Sequence, residues 1–458
     1  MGSRTPHVLV LPYPAQGHVI PLMELSHCLL HRGFKITFVN TEFNHDRVVN
    51  ALSERGTEID QRMQLVSIPD GMAPDEDRDN FASLGENMLL VLPDHLEQLV
   101  GRINGSGGEK ITWMVADLCM AFAFRVAKKM WIKSVAFWPA ASATLAVLIS
   151  IPKLIEEGVL DDDGVPRTEG MMINVIPDMP PIDPRGLPWN LTSNPELRKS
   201  IYQYLMNNVR ETKLAEFTIS NSFQELESGA FAYMPNISPL GPLFADEDSD
   251  RQTGQFWPED ASCMSWLNEQ PANSVIYVAF GSTGILNRNQ FRELALGLEL
   301  SARPFLWVVR PDLTNTSSDA YPAGFRDRVA SRGRVVGWSP QQKVLAHPSV
   351  ACFVTHCGWN STMDGVRNGV PFLCWPYFGD QIVNQSYICD VWKVGLKMTP
   401  GDGGIISSEQ IKVKVEELLG DEDLSARSLK LKEKANDNVR EGGSSYRNMN
   451  IFINAMKE

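Results

Sequence analysis

Twice along this chain, short apolar runs of strand length alternate with segments whose apolar residues recur at helical spacing. HVLVLP (residues 7–12) leads into IPLMELSHCLLHRG, which stops at Gly33, and FKITFVN (34–40), ITWMVAD (111–117) and SVAFW (134–138) continue the series. Parallel strands need a crossover, usually a helix, to reach one another, so the alternation points to an α/β chain with parallel, doubly wound sheets. The acidic, Pro/Gly-rich stretch GPLFADEDSDRQTGQFWPEDAS (241–262) interrupts the pattern and reads as a linker. Beyond it the alternation restarts with SVIYVAFGST, QFRELALGLEL, PFLWVVRP, GRVVGW, ACFVTHCG and PFLCWP. At 458 residues and 43% apolar, the chain can bury two cores. Two domains are expected, 1–240 and 263–442.

Charge and cysteine usage remove several functions. A formal net charge of −13, with no long Lys/Arg block, argues against nucleic acid or an anionic membrane surface as partner. The seven cysteines are odd in number, scattered and never spaced C-x-x-C, which suits reduced thiols in the cytoplasm rather than a disulfide framework or a zinc site. SVAFWPAASATLAVLISIP, the longest apolar stretch, carries Pro139 and several Ser/Thr and reads as a buried strand followed by a helix, not a membrane span.

In doubly wound sheets ligands sit beyond the carboxyl ends of strands. Two polar groups of the first half fall there: His18, opening the first helix, and Asp117, closing ITWMVAD. If their strands are neighbours, the two form a carboxylate-held imidazole, the arrangement that general-base catalysis requires. The plainer alternatives are a His bonded to a nearby loop and an Asp capping a strand-to-helix turn, and spacing alone does not choose. In the second half, HCGWNSTMDG (356–365) follows strand ACFVT and opens a helix expected over Asn360 to Arg367. Unpaired N–H groups at such a helix start, with Gly358 allowing close approach and Asn360, Ser361 and His356 adding donors, suit phosphate. The turn FGST (280–283) ends another strand at the same rim, and two such corners suit a diphosphate. Ordinary capping accounts for Asn360 but not for the surrounding His, Gly and Trp.

The stretch WSPQQKVLAHPSVACFVTHCGWNSTMDGVRNGVPFLCWPYFGDQ (338–381) closely resembles the signature box of plant UDP-dependent glycosyltransferases of family 1. LPYPAQGHVIPLMELSHCLLHRG and VIYVAFGS are similar to that family too, so the resemblance covers nearly the whole chain. It implies a GT-B fold: two facing Rossmann-like domains with an interdomain cleft, and a C-terminal helix (about 443–458) packing back on the first. It also implies roles. Trp338 would stack on uracil, with Ser339 and Gln341 reading its edge. Ser282, His356, Asn360 and Ser361 would hold the diphosphate, and Trp359, Asp380 and Gln381 the sugar hydroxyls. The terminal Gln goes with UDP-glucose as donor. His18 and Asp117 become the catalytic dyad of an inverting transferase acting on an acceptor hydroxyl, without a metal or bound cofactor. Family analogy places the acceptor against Met120, Phe122, Phe124, Trp138, Thr144 and a loop around Phe81 to Leu92, with contact to the sugar the alternative for Thr144 and plain core the alternative for the aromatics and Met, and a flavonoid, phenylpropanoid or terpenoid alcohol is expected. A monomer is expected.

Two positions depart from the family. Asp364 stands where Glu usually binds the ribose hydroxyls, which leaves the carboxylate one methylene short and predicts weaker donor binding. Gly379 stands where Ala is common, and the smaller side chain would loosen the sugar or acceptor wall. The acidic clusters at 75–79, 161–163 and 246–250 read as solvated loops rather than metal sites. A nicotinamide oxidoreductase is disfavoured because the first strand leads into PYPAQGH, not G-x-G-x-x-G. A sugar-nucleotide epimerase or phosphorylase, or a nucleotide-sugar sensor, would share the scaffold.

Overall fold

A computed structural model describes residues 6–53, 60–78, 81–168, 170–177, 179–243, 254–282, 284, 286–310, 321–401 and 403–458, the side chains of 52, 53, 81 and 82 apart. The chain divides into two compact units, Met1–Pro258 with Asn438–Glu458, and Glu259–Asp437. Of the expected linker, residues 244–253 and with them the acidic cluster 246–250 lie outside the described residues, as does Thr283 of the FGST turn.

The first unit holds, among the described residues, a sheet in the order β3-β2-β1-β4-β5-β6-β7. Its strands are β1 His7–Leu11, β2 Lys35–Thr41, β3 Met63–Ile68, β4 Ile111–Asp117, β5 Lys133–Trp138, β6 Phe217–Ser220 and β7 Ile237–Pro239, all paired in parallel. β1 is buried along its whole length, as expected when helices cover both faces of a parallel sheet. The chain runs outward from β1 to β3 and then returns to place β4 on the other side of β1. That reversal is the switch point beside which doubly wound sheets bind ligands. The C-terminal helix Ser444–Lys457 belongs to this unit. Phe452, Ile453 and Met456 join the core formed by Val8, Val10 and Leu22, and Trp113 Nε1 donates to the Met456 carbonyl at 2.9 Å.

The second unit repeats the plan with β8 Val275–Ala279, β9 Phe305–Val308, β10 Gly333–Val336, β11 Val350–Thr355, β12 Phe372–Cys374 and β13 Gly395–Lys397. Among the described residues the order is β10-β9-β8-β11-β12-β13, so the reversal falls between β8 and β11.

One expectation needs correction: Phe81 to Leu92 is not a loop but the start of the helix Phe81–Gly105. Leu84, Met88, Leu92 and Leu96 recur every four residues and are all buried, and this apolar stripe outweighs the helix-weakening Gly85 and Pro93. The helix after β11 runs Trp359–Asn368, one residue longer at each end than expected.

Candidate active site

At the first switch point, β1 passes through a short turn into the helix Gln16–His31, and β4 ends at Asp117. β1 and β4 are direct neighbours, with Leu11 opposite Ala116, so the two chain ends emerge side by side. His18 Nδ1 donates to Asp117 Oδ2 at 2.7 Å, and Asp117 Oδ1 accepts from the Cys119 amide at 2.8 Å. The carboxylate thus performs both roles considered for it: it caps the 3-10 turn Leu118–Met120 and holds the imidazole. Asp117 is fully buried while the His18 side chain is 27% exposed. With Nδ1 carrying the proton, Nε2 is left as the acceptor. Tyr13 packs on His18 with ring centroids 5.1 Å apart. The turn after Asp117 is clamped by the helix Pro195–Glu211: Tyr204 donates to the Cys119 carbonyl at 2.5 Å, and Asn208 Oδ1 accepts from the Ala121 amide at 3.3 Å.

Ligand atoms of His18, Asp117 and Cys119 lie within 4.8 Å of one another, the one such His/Cys/Asp/Glu group among the described residues. Tetrahedral zinc with bonds of about 2.0–2.3 Å holds its ligands roughly 3.3–3.7 Å apart. The His18–Asp117 contact of 2.7 Å is a hydrogen bond drawn tighter than that, so the group has the geometry of a proton-handling pair. Asp161 accepts from the amides of Asp163 and Val165, as a turn residue does.

Around the dyad, Met120, Phe122 and Phe124 are each no more than 1% exposed, the accessibility of core side chains. Trp138 is also buried and donates through Nε1 to the Ala141 carbonyl at 2.7 Å. Thr144 differs, because its Oγ1 is buried with no partner among the described residues.

In the second unit, β8 and β11 pair with Ala279 opposite Thr355, which sets the turns at Gly281 and Ser282 beside those at His356 to Gly358. The helix Trp359–Asn368 starts from Gly358, which has no side chain to supply a capping acceptor. A Cβ on Gly281 would come within 2.6 Å of the His356 ring, and one on Gly358 within 2.4 Å of its Nε2. Gly281 also has φ +68°, so glycine is required there twice over. Burial pushes the His356 pKa down to about 4, and its Nδ1 has no partner among the described residues. It is a neutral hydrogen-bonding group and not a cation.

Trp338 is half-buried, and its carbonyl accepts from the Asp260 amide at 2.9 Å. Gln341, expected to read uracil, directs its Nε2 to Asp364 Oδ2 at 2.8 Å and to Ser361 Oγ at 3.1 Å. Tyr277 orients this group from below, its hydroxyl 2.9 Å from Ser339 Oγ and 3.4 Å from Gln341 Oε1. Desolvation raises the Asp364 pKa to about 6, against the opposing pull of the Gln341 and Gln342 hydrogen bonds and of Arg367. The Trp359 indole is buried against Trp392, while Gln381 Oε1 accepts from the Tyr377 amide at 2.9 Å, which leaves its nitrogen to donate. Gly379 takes φ +58° and ψ −134°, which glycine alone adopts readily, so backbone geometry gives a reason for it there. Sequence reasoning missed Tyr277, Tyr204 and Asn384. The first two look like ordinary core residues, but Asn384 follows Asp380 by one helical turn and was legible on that spacing.

The model of the family "UDP-glucoronosyl and UDP-glucosyl transferase" matches residues 238–438. UDP-glycosyltransferase 83A1 of Arabidopsis thaliana is 41% identical, over 99% of this chain and 97% of its own length. The UDP complex of Os79 from O. sativa superposes with TM-score 0.82 at 26% identity, covering 98% of this chain and all of that one. A Polygonum tinctorium UDP-glucosyltransferase capable of glucosylating indoxyl, in complex with 3,4-dichloroaniline, gives TM-score 0.82 at 29% identity over 99% of both chains.

Proposed function

This chain belongs to the plant family 1 UDP-glycosyltransferases, hexosyltransferases of GT-B fold, and we propose that it moves glucose from UDP-glucose onto a hydroxyl of a small apolar acceptor with inversion. The observation that carries this reading is the 2.7 Å contact between His18 Nδ1 and buried Asp117, at the switch point of the first sheet. His18 Nε2 takes the acceptor's hydroxyl proton while Asp117 keeps the ring's orientation and balances the imidazolium that forms. The freed oxygen attacks the anomeric carbon from the face opposite the leaving UDP, so an α-linked donor yields a β-glucoside. Negative charge then develops on the β-phosphate. There the helix start at Trp359, the His356 imidazole, Ser282, Asn360 and Ser361 supply donors without needing a metal.

In this reading Trp338 stacks on uracil, with Ser339 beside it, and Asp364 with Gln341 binds the ribose. Asp380, Gln381 and the Trp359 backbone bind the glucose hydroxyls. Thr144, whose hydroxyl has no partner among the described residues, is the polar anchor, and apolar side chains select a flavonoid, phenylpropanoid or terpenoid alcohol. The Polygonum tinctorium relative's action on indoxyl supports a small, flat or apolar acceptor. Seven free thiols support work in a reducing compartment such as the cytoplasm. The test is incubation with UDP-glucose and a panel of phenolic and terpenoid alcohols, with the product anomer read by NMR. β-Glucosides that disappear in His18→Ala are expected. Turnover of UDP-glucose without any acceptor would instead mark an epimerase or phosphorylase.

A further inference from the structure

Cys357, between His356 and Gly358, has φ +64°, a left-handed conformation that a residue with a side chain enters at a cost. Its backbone is held from both sides. The Cys357 amide donates to Thr355 Oγ1 at 3.3 Å, and its carbonyl accepts from Asn384 Nδ2 at 2.9 Å. Asn384 is fully buried and comes from the helix Asp380–Ser386. The same Nδ2 lies 3.3 Å from Asp380 Oδ2, one helical turn earlier. Its Oδ1 has no partner among the described residues. Turning the amide over would set its oxygen against two acceptors, so both contacts demand the nitrogen, and the fold accepts an unmatched buried carbonyl to keep it there.

We propose that Asn384 is a positioning residue that couples the diphosphate corner to the sugar-reading carboxylate. One amide braces the strained Cys357 carbonyl, which aims His356 and the N–H groups after Gly358. It also holds Asp380 in the orientation that meets the glucose hydroxyls. The inference rests on the donor reading above, in which that corner binds diphosphate and Asp380 binds sugar. It differs from a packing role in one respect: its loss is felt in steps along the donor, least at the nucleoside end and most at the sugar.

Calorimetric titration of wild type, Asn384→Ala and the near-isosteric Asn384→Asp with UMP, UDP and UDP-glucose tests this, with thermal unfolding run on each variant. UMP binding should change less than about twofold, UDP should weaken about tenfold, and UDP-glucose about threefold further. In Cys357→Gly/Asn384→Ala, glycine takes the left-handed conformation without bracing, so the UDP loss should recover while the extra UDP-glucose loss persists. Equal weakening of all three ligands, or no change in any, overturns the proposal. A wild type that fails to bind UDP overturns the donor reading itself, and this inference with it.

Discussion

Two histidines stand at the switch points of the two sheets, and their surroundings make them chemically different. His18 is partly exposed and bonded to a buried carboxylate, so the proton on Nδ1 is fixed and a positive charge on the ring is balanced. His356 is 8% exposed, walled by two glycines, and burial lowers its pKa to about 4, so it stays neutral. In the proposed mechanism the first gains a proton, while the second offers one hydrogen bond and stays neutral at neutral pH. What separates the two proposed roles is thus desolvation and a partner, not the residue type.

The comparison breaks most visibly at the dyad. Asp117→Asn keeps the shape but removes the balancing charge, and kcat should fall about 10²- to 10⁴-fold with UDP affinity unchanged. Steady-state kinetics alongside UDP titration checks this, and a parallel loss of UDP binding would show that Asp117 acts on the fold instead. Next in size is the glycine cradle. Gly281→Ala forces His356 off its position at a cost of roughly 1–3 kcal/mol, which should lower kcat/KM for UDP-glucose by about 5- to 150-fold, part of it in kcat because His356 also meets the charge that develops on the leaving phosphate.

The mildest effect is on pH, and it sharpens the contrast. Asp364, with its pKa raised to about 6, is charged above that pH and neutral below it. The UDP-glucose KM should therefore climb as pH falls through about 6, and the climb should vanish in Asp364→Asn. His356, titrating near 4, contributes nothing in that window. Binding by Asp364→Asn that tightens between pH 7 and 5.5 would show that His356 gains its proton near the ordinary value. Asp364→Glu should lower the wild-type KM a few-fold, since the longer carboxylate reaches the ribose.

Much of this was legible because it is local. Strand and helix positions follow from the period of apolar residues, and the corner at 356–365 from small residues and donors placed between a strand and a helix. Family analogy gives a loop around Phe81 to Leu92, whereas the four-residue spacing of Leu84, Met88, Leu92 and Leu96 already carries the period of the helix Phe81–Gly105. The resemblance implies that Gln341 reads the base edge, but nothing in WSPQQ shows that Asp364, 23 residues on, lies 2.8 Å from its nitrogen.

By itself the sequence determined the α/β alternation, the two switch-point corners and the identity of their polar residues, since each depends on neighbours along the chain. Only the tertiary structure decided that β1 lies beside β4, which brings His18 to Asp117 across 99 residues, and that the His356 ring is closed off from solvent. Strand order and burial are properties of the packed whole. A charge state, which follows from solvent and partners within a few ångströms, is settled only when that packing exists.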